Sequence, residues 1–213
     1  DTIKTTLHVL RRLNLIKKFY RITVQKNIPV YAGLGGGTSN SASIVKHFLN
    51  NNLNESLISI FEKKVGSDFR LFLNKCSFQN KLGKVYKTKN KILFPIVIVF
   101  PYINCKTKNI YKLNKSFSSP SENFYLRKIS QKTFIEMIKK DKNDLQKIAE
   151  KKYSKIYFLI KSLNNQEGCI FSRMTGSGSA CYGVFKSKET AKLALNNLKR
   201  KYPKYWCAIT KTI

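Results

Sequence analysis

The sequence predicts an α+β fold in two lobes, on three observations. A glycine loop, Gly33-Leu34-Gly35-Gly36-Gly37, opens onto a helical pattern in the first part of the chain. From Ile92 onward the segments read strand, helices, strand, strand, helix, strand, the order of a ferredoxin-like unit. The length of 213 residues, with 42% apolar residues, suffices to bury one large core or two small ones. The expected division is a nucleotide-binding lobe over residues 1–90 and a ferredoxin-like lobe over residues 91–213.

In order along the chain, Ile3, Leu7, Leu10, Leu13 and Leu15 give an amphipathic helix, with Lys4, Arg11 and Arg12 on its wet side. Tyr20 to Lys26 alternates and predicts a strand ended by Asn27 and Pro29. The glycine loop follows, and Thr38, Ser39 or Asn40 is placed to cap a helix reaching about Asn52, with apolar residues at Ile44, Val45, Phe48 and Leu49. A second helix spans Glu55 to Lys64, with Leu57, Ile58 and Phe61 inward, and Asp68 stands after a Gly-Ser turn in a helix-capping position. Cys76 to Gln79 and Gly83 to Lys87 suggest a hairpin, and Ile92 to Phe100 a buried strand. Pro101 to Asn123 is a polar stretch, read as a loop near the substrate or as a joint between lobes.

Ser130 to Lys140 is helical, and Asn143-Asp144-Leu145-Gln146 has capping-box spacing ahead of a helix reaching about Leu163. Asn143 and Asp144 are read as structural. Cys169 to Ser172 and Tyr182 to Phe185 are strands joined by a second glycine loop, Met174-Thr175-Gly176-Ser177-Gly178-Ser179-Ala180-Cys181. That loop is either a hairpin turn or a backbone able to approach a phosphate or cradle the first loop. Lys188 to Tyr202 forms a helix, and Tyr205 to Thr210 the last strand.

The net charge of +30 raises nucleic-acid binding as a possibility, but the lysines are scattered and no run of five or six like charges occurs. The accompanying Asn, Ile, Phe and Tyr are the mix that A- and T-rich codons produce. A positive field would in any case steer an anionic substrate. Five cysteines, none in Cys-x-x-Cys spacing, and two histidines, His8 and His47, leave no metal-site pattern. The longest apolar run, Ile92 to Phe100, is interrupted by Pro95 and is far below membrane-span length. The expectation is a soluble cytoplasmic protein, monomer or homodimer, with a small-molecule substrate and neither nucleic acid nor membrane as partner.

Four glycines in five residues cost ~0.5–1 kcal/mol each relative to alanine, so close approach of a ligand or positive φ must require them. A glycine loop feeding a helix N-terminus presents unpaired N–H groups and the positive end of the dipole, which suits phosphate. A flexible linker is the plainer alternative. The loop has neither the P-loop lysine nor the third glycine of the dinucleotide fingerprint, because position 38 is threonine. Pro29-Val30-Tyr31-Ala32-Gly33-Leu34-Gly35-Gly36-Gly37-Thr38-Ser39-Asn40 instead resembles the second motif of the galactokinase, homoserine kinase, mevalonate kinase and phosphomevalonate kinase (GHMP) superfamily. The triple glycine is most similar to the diphosphocytidyl-methylerythritol kinases within it. Gly66-Ser67-Asp68, Asn143-Asp144-Leu145 and the loop from Met174 resemble three further landmarks of that family, in the family's order.

The resemblance implies a GHMP two-lobed fold, with a ribosomal-S5-like first lobe and a ferredoxin-like second. It implies ATP-dependent phosphorylation of the 2-hydroxyl of diphosphocytidyl-methylerythritol. Pro29, Val30, Tyr31, Ala32, Gly33, Leu34, Gly35, Gly36, Gly37, Thr38 and Ser39 would wrap the ATP phosphates, Mg²⁺ would offset the remaining charge, and Asp68 would act as catalytic base. The sequence departs from the family at Arg70, where proline is usual, and Pro101 followed by Thr107 fits a family segment loosely. Family members also begin some tens of residues earlier, with a Lys-Xaa-Asn-Leu strand that supplies a lysine beside the base and much of the cytidine site. No such motif occurs here, so the 213-residue chain is expected to carry an incomplete first lobe and to be inactive alone.

Overall fold

Two separate cores organise the chain, and each holds one half of the glycine loop. The computed structural model describes residues 1–74, 77–81, 84–87, 93–118 and 129–212. Its described residues fall into one compact unit built from 1–28 and 35–87, and another from 29–34, 93–118 and 129–212.

In the first unit, helix α1 (Thr2–Arg12) starts at Asp1, whose carboxylate accepts from the Ile3 N–H at 2.9 Å, and buries Thr6, Val9 and Leu10. The expected stripe continued to Leu13 and Leu15, but both lie beyond the helix and are exposed, because the chain turns at Asn14 with φ 53°. The strand expected over Tyr20 to Lys26 is absent. No strand pairs with it among the described residues, and Tyr20, Ile22 and Val24 are exposed, so alternation alone had no ladder or face to satisfy. Helix α2 (Gly36–Leu49) ends at Asn50 in the left-handed region, short of Asn52. Helix α3 (Glu55–Val65) is capped by Asn54, whose side chain accepts from the Leu57 N–H at 2.9 Å, and a 3₁₀ turn runs from Phe69 to Leu73.

Strands β1 (Ser77–Lys81) and β2 (Lys84–Lys87) form the expected hairpin, with Phe78 opposite Tyr86; Cys76 and Gly83 lie outside the described residues. The core of this unit gathers Val9, Leu10, Ile16, Ala42, Val45, Ile58, Phe61 and Phe69, with Phe61 and Phe69 stacked at 5.1 Å between ring centroids.

The second unit begins its sheet with β3 (Pro95–Phe100), just after the buried Phe94. The polar stretch that follows is not all loop: helix α4 (Thr107–Leu113) lies within it, anchored by the fully buried Ile110. Residues 119–123 of that stretch lie outside the described residues. Helix α5 (Gln131–Lys140) begins one residue after the expected start, with Ser130 as its cap. The single helix expected up to Leu163 is two, α6 (Gln146–Lys152) and α7 (Ser154–Asn164), divided at Tyr153, whose backbone leaves the helical region (φ −135°, ψ 86°) as its ring packs against the core. Nor does a capping box form: the N-cap of α6 is Leu145, and Asn143 is used elsewhere.

Strands β4 (Cys169–Met174) and β5 (Cys181–Phe185), helix α8 (Lys188–Lys201) and strand β6 (Trp206–Lys211) complete the unit. Ser187 and Thr190 make a reciprocal capping box at the start of α8. The sheet order is β4-β5-β3-β6 with every pair antiparallel, which is the ferredoxin-like arrangement. Alternation along β3 sends Val97 and Val99 to the core shared with Leu159, Leu163, Ala191 and Leu198, while Ile96 joins Phe94, Phe171 and the α5 residues Phe134, Ile135 and Ile138. Ala32 closes a smaller cluster with Phe100 and Ala180.

Candidate active site

The glycine loop divides between the units at Leu34 and Gly35, and its two halves are built on different principles. In the second unit, Ala32 is buried and its carbonyl accepts from the Ala180 N–H at 3.2 Å. The next carbonyl, that of Gly33, accepts from the Thr175 Oγ1 at 3.0 Å. A Cβ on Gly33, at φ +75°, would stand 2.8 Å from the Gly178 carbonyl oxygen and 3.1 Å from that of Thr175. Glycine is required here because two backbones meet. Val30 and Tyr31 remain exposed and Pro29 is half-buried.

The partner in that contact is the β4–β5 connection, the second glycine loop. It is both a hairpin connection and a cradle for residues 32 and 33. Side chains from elsewhere in the unit hold it: Ser179 Oγ donates to the Ile103 carbonyl at 2.6 Å, and Thr107 Oγ1 and Ser177 Oγ share a hydrogen bond of 2.9 Å. Asn143 Nδ2 donates to the carbonyls of Met174 at 3.0 Å and Gly176 at 2.7 Å, while Asn143 Oδ1 accepts from the Leu145 N–H at 3.0 Å. Gln146 Oε1 accepts from the Met174 N–H at 3.0 Å. A cavity of about 450 Å³ opens between this loop and the first, walled by Tyr31, Gly33, Cys105, Thr107, Ser177 and Gly178. Burial pushes the Cys105 thiol up to about 11, so it is a packing group and not a nucleophile at neutral pH.

In the first unit the loop becomes the start of α2. Gly35 is the N-cap at φ 65°, and a Cβ there would lie 2.6 Å from Phe72 Cζ. The helix therefore begins two residues before the expected caps: Thr38 sits inside the first turn, and no side chain caps the end. Glycine replaces a capping side chain because Phe72 occupies the space one would need. The first intrahelical bond runs from Ser39 N–H to the Gly35 carbonyl at 2.9 Å, so the N–H groups of Gly36, Gly37 and Thr38 precede the first donor of the helical ladder. A Cβ on Gly37 would be 3.1 Å from Thr2 Oγ1, but one on Gly36 would meet nothing within 4 Å. The middle glycine faces open space.

Asp68 belongs to the same unit. Gly66, at φ +155°, places its missing Cβ 3.2 Å from Thr38 Oγ1, which brings the Gly66–Asp68 turn against the start of α2. Phe69 is fully buried beneath that turn, and Lys46 Nζ, from α2, donates to the Phe72 carbonyl at 2.8 Å, so the 3₁₀ turn is fixed on both sides. Asp68 itself is exposed at the head of the turn, where its carboxylate makes no capping bond and receives Ser67 Oγ at 3.4 Å. The plainer role of helix cap is therefore not the one it performs.

Arg70, at the position where proline was expected, turns away from Asp68. It donates from Nε and Nη2 to Glu62 at 3.0 and 3.2 Å and from Nη1 to Glu55 at 2.5 Å. The Glu62 hydrogen bonds hold its pKa above even the usual guanidinium range, against burial. The 3₁₀ turn is secured by a fork to α3 in place of a ring. Thr175, Ser177 and Gln146 were not singled out individually from the sequence, since their roles depend on carbonyls tens of residues away.

The chain belongs to the GHMP kinase family, whose members are small-molecule kinases. Residues 1–68 match the GHMP kinases N terminal domain, and residues 125–204 match the GHMP kinases C terminal domain. Among curated relatives, the 4-diphosphocytidyl-2-C-methyl-D-erythritol kinase of Pelagibacter ubique is 34% identical over 220 residues, covering 100% of this chain and 76% of that protein. The protein of the same name from Wolbachia sp. subsp. Brugia malayi is 31% identical, covering 97% and 73%. A crystal structure of 4-(cytidine 5'-diphospho)-2C-methyl-D-erythritol kinase superposes with a TM-score of 0.74 at 20% identity, over 98% of this chain and 76% of that one. Homoserine kinase from Cytophaga hutchinsonii gives 0.65 at 14% identity, over 100% and 76%. Both share the fold.

Proposed function

We propose that the protein transfers the γ-phosphoryl group of ATP to the 2-hydroxyl of 4-diphosphocytidyl-2-C-methyl-D-erythritol. The observation that carries the reading is Gly36. It faces open space at a helix start, between two glycines whose Cβ positions are already occupied. That spacing leaves room for a phosphate against the N–H groups of Gly36, Gly37 and Thr38. Residues Pro29 to Ser39 form the nucleotide-binding loop, and the similarity to curated relatives of that name at 34% and 31% identity supplies the acceptor.

Phosphoryl transfer asks a protein mainly for positioning and charge stabilisation. The substrate 2-hydroxyl attacks the γ-phosphorus, the bond to the bridging β–γ oxygen breaks, and ADP leaves with that electron pair. The hydroxyl proton passes to the Asp68 carboxylate. A carboxylate is too weak a base to ionise an alcohol in advance, so the proton moves late, as the new P–O bond forms. Among the described residues no group of three His, Cys, Asp or Glu could hold a metal ion. Mg²⁺ would accompany the nucleotide phosphates and offset their charge. The charge of +30 favours arrival of two polyanions.

The test is ADP formation from ATP with the chain completed by a family N-terminal segment carrying the Lys-Xaa-Asn-Leu strand, in the presence of diphosphocytidyl-methylerythritol or of homoserine or mevalonate. Turnover confined to the first acceptor is the expected result. Turnover with another alcohol only would move the protein elsewhere in the family.

A further inference from the structure

Thr175 is the only residue of the second glycine loop whose side chain reaches the Gly33 carbonyl among the described contacts, at 3.0 Å. Its neighbours on both sides are held by one side-chain nitrogen: Asn143 Nδ2 donates to Met174 O at 3.0 Å and to Gly176 O at 2.7 Å. An amide NH₂ has two hydrogens, and both are committed to carbonyls flanking Thr175. The remaining Asn143 oxygen accepts from Leu145 N–H at 3.0 Å, which fixes the amide plane and leaves the NH₂ facing the loop. Gln146 Oε1 takes the Met174 N–H at 3.0 Å, so the start of α6 grips the loop at a further point. On its far side the loop holds residues 32 and 33 through Thr175 Oγ1 and through Ala180 N–H to Ala32 O at 3.2 Å.

We infer that Asn143 is a positioning residue for nucleotide binding, acting through Thr175 on Ala32 and Gly33. The inference rests on the kinase reading above, in which Pro29 to Ser39 hold ATP. Asn143 touches neither substrate. It sets where the Thr175 hydroxyl stands, and the hydroxyl sets where the Gly33 carbonyl stands. Gly33 cannot drift towards the loop, because its Cα already faces the Gly178 carbonyl with no room for a Cβ (2.8 Å). It can drift away once the Thr175 bond is lost. The consequence is a loosened entry to the phosphate-binding turn, with the carboxylate that takes the proton unaffected. The expected signature is a loss in ATP affinity with little loss in the chemical step.

Asn143→Asp, made in the chain completed by a family N-terminal segment, is the discriminating change. It preserves shape and the acceptor for Leu145 N–H, but places a carboxylate oxygen against two carbonyl oxygens. The expected results are a KM for ATP raised about tenfold or more, by loss of two hydrogen bonds, a kcat within a few fold, and faster amide exchange at Ala180. Thr175→Val should raise KM for ATP in the same direction, and the double variant should add little to either single one, because both break the same link. Additive effects, or a lower melting temperature with unchanged KM for ATP, would make Asn143 a purely structural residue and overturn the inference. Failure of the kinase reading would show separately, as a parent protein that binds no ATP, while amide exchange at Ala180 still reports whether the link exists.

Discussion

Gly33 and Gly36 lie three residues apart in one loop, yet they are glycines for opposite reasons. Gly33 has a backbone oxygen 2.8 Å from where its Cβ would be, whereas Gly36 has nothing within 4 Å. One is excluded from carrying a side chain by the protein itself, and the other, in the function proposed above, by the nucleotide phosphates. The comparison teaches that a glycine-rich loop has structural and ligand-facing members. Open space around a required glycine marks the second kind.

The largest effect should come from the ligand-facing side. In the chain completed by a family N-terminal segment, Asp68→Asn keeps shape but cannot accept a proton, and should cut kcat by roughly 10²–10⁴. The melting temperature should stay unchanged, because this carboxylate caps nothing. A kcat within a few fold of the parent would remove Asp68 from the chemistry.

Next comes Gly33→Ala, which forces a Cβ into a left-handed backbone at φ +75° against a carbonyl and should cost ~2–3 kcal/mol of stability, read by chemical denaturation. A neutral result would mean that the two loops part without penalty. Gly36→Val should do the reverse: thermal stability at or above the parent's, with ATP affinity lowered about tenfold, a change of ~1.4 kcal/mol measured by titration calorimetry. Equal affinity in variant and parent would erase the distinction between the two glycines.

The smallest effect tests the scaffold alone. Asp144 accepts from Ser118 N–H at 2.8 Å and Ser118 Oγ at 2.5 Å, and these bonds hold its carboxyl below the usual carboxylate range. A depressed folded pKa contributes stability above the unfolded value of about 4, and that contribution is lost as pH falls through the folded value. The stability difference between parent and Asp144→Asn should therefore be present at pH 7 and vanish by about pH 2. A difference independent of pH would assign the effect to packing.

Much of the second unit was legible because its signals are local. Ser187 and Thr190 announce α8 within four residues, Val97 and Val99 alternate as a sheet strand must, and the order of elements alone specifies the ferredoxin-like topology. The errors share one cause. Tyr20 to Lys26 has strand alternation, but a strand exists only with a neighbour. Thr38 has the chemistry of a cap, but Phe72, met more than thirty residues later, leaves space only for glycine at the N-cap. Asn143 has the spacing of a capping box, but carbonyls 31 and 33 residues away claim its amide. Of the proposed site, the glycine loop could be picked out from residue type, and Asp68 only through the family resemblance, since by itself it reads as a helix cap. Thr175, Gln146 and the cavity wall could not, since each is defined by what folds against it.

The order of the sheet has a consequence for how the protein is made. β3 is central, yet its two neighbours, β5 and β6, are translated well after it, with Pro95 paired to Lys211 and Phe100 to Trp206. The nascent second unit therefore carries an apolar strand, Pro-Ile-Val-Ile-Val-Phe, with both edges unsatisfied until β5 and β6 have emerged. During that interval the strand is a template for pairing with other chains. Yield in a cell should then depend on elongation speed and chaperone supply far more than the finished protein's stability would suggest.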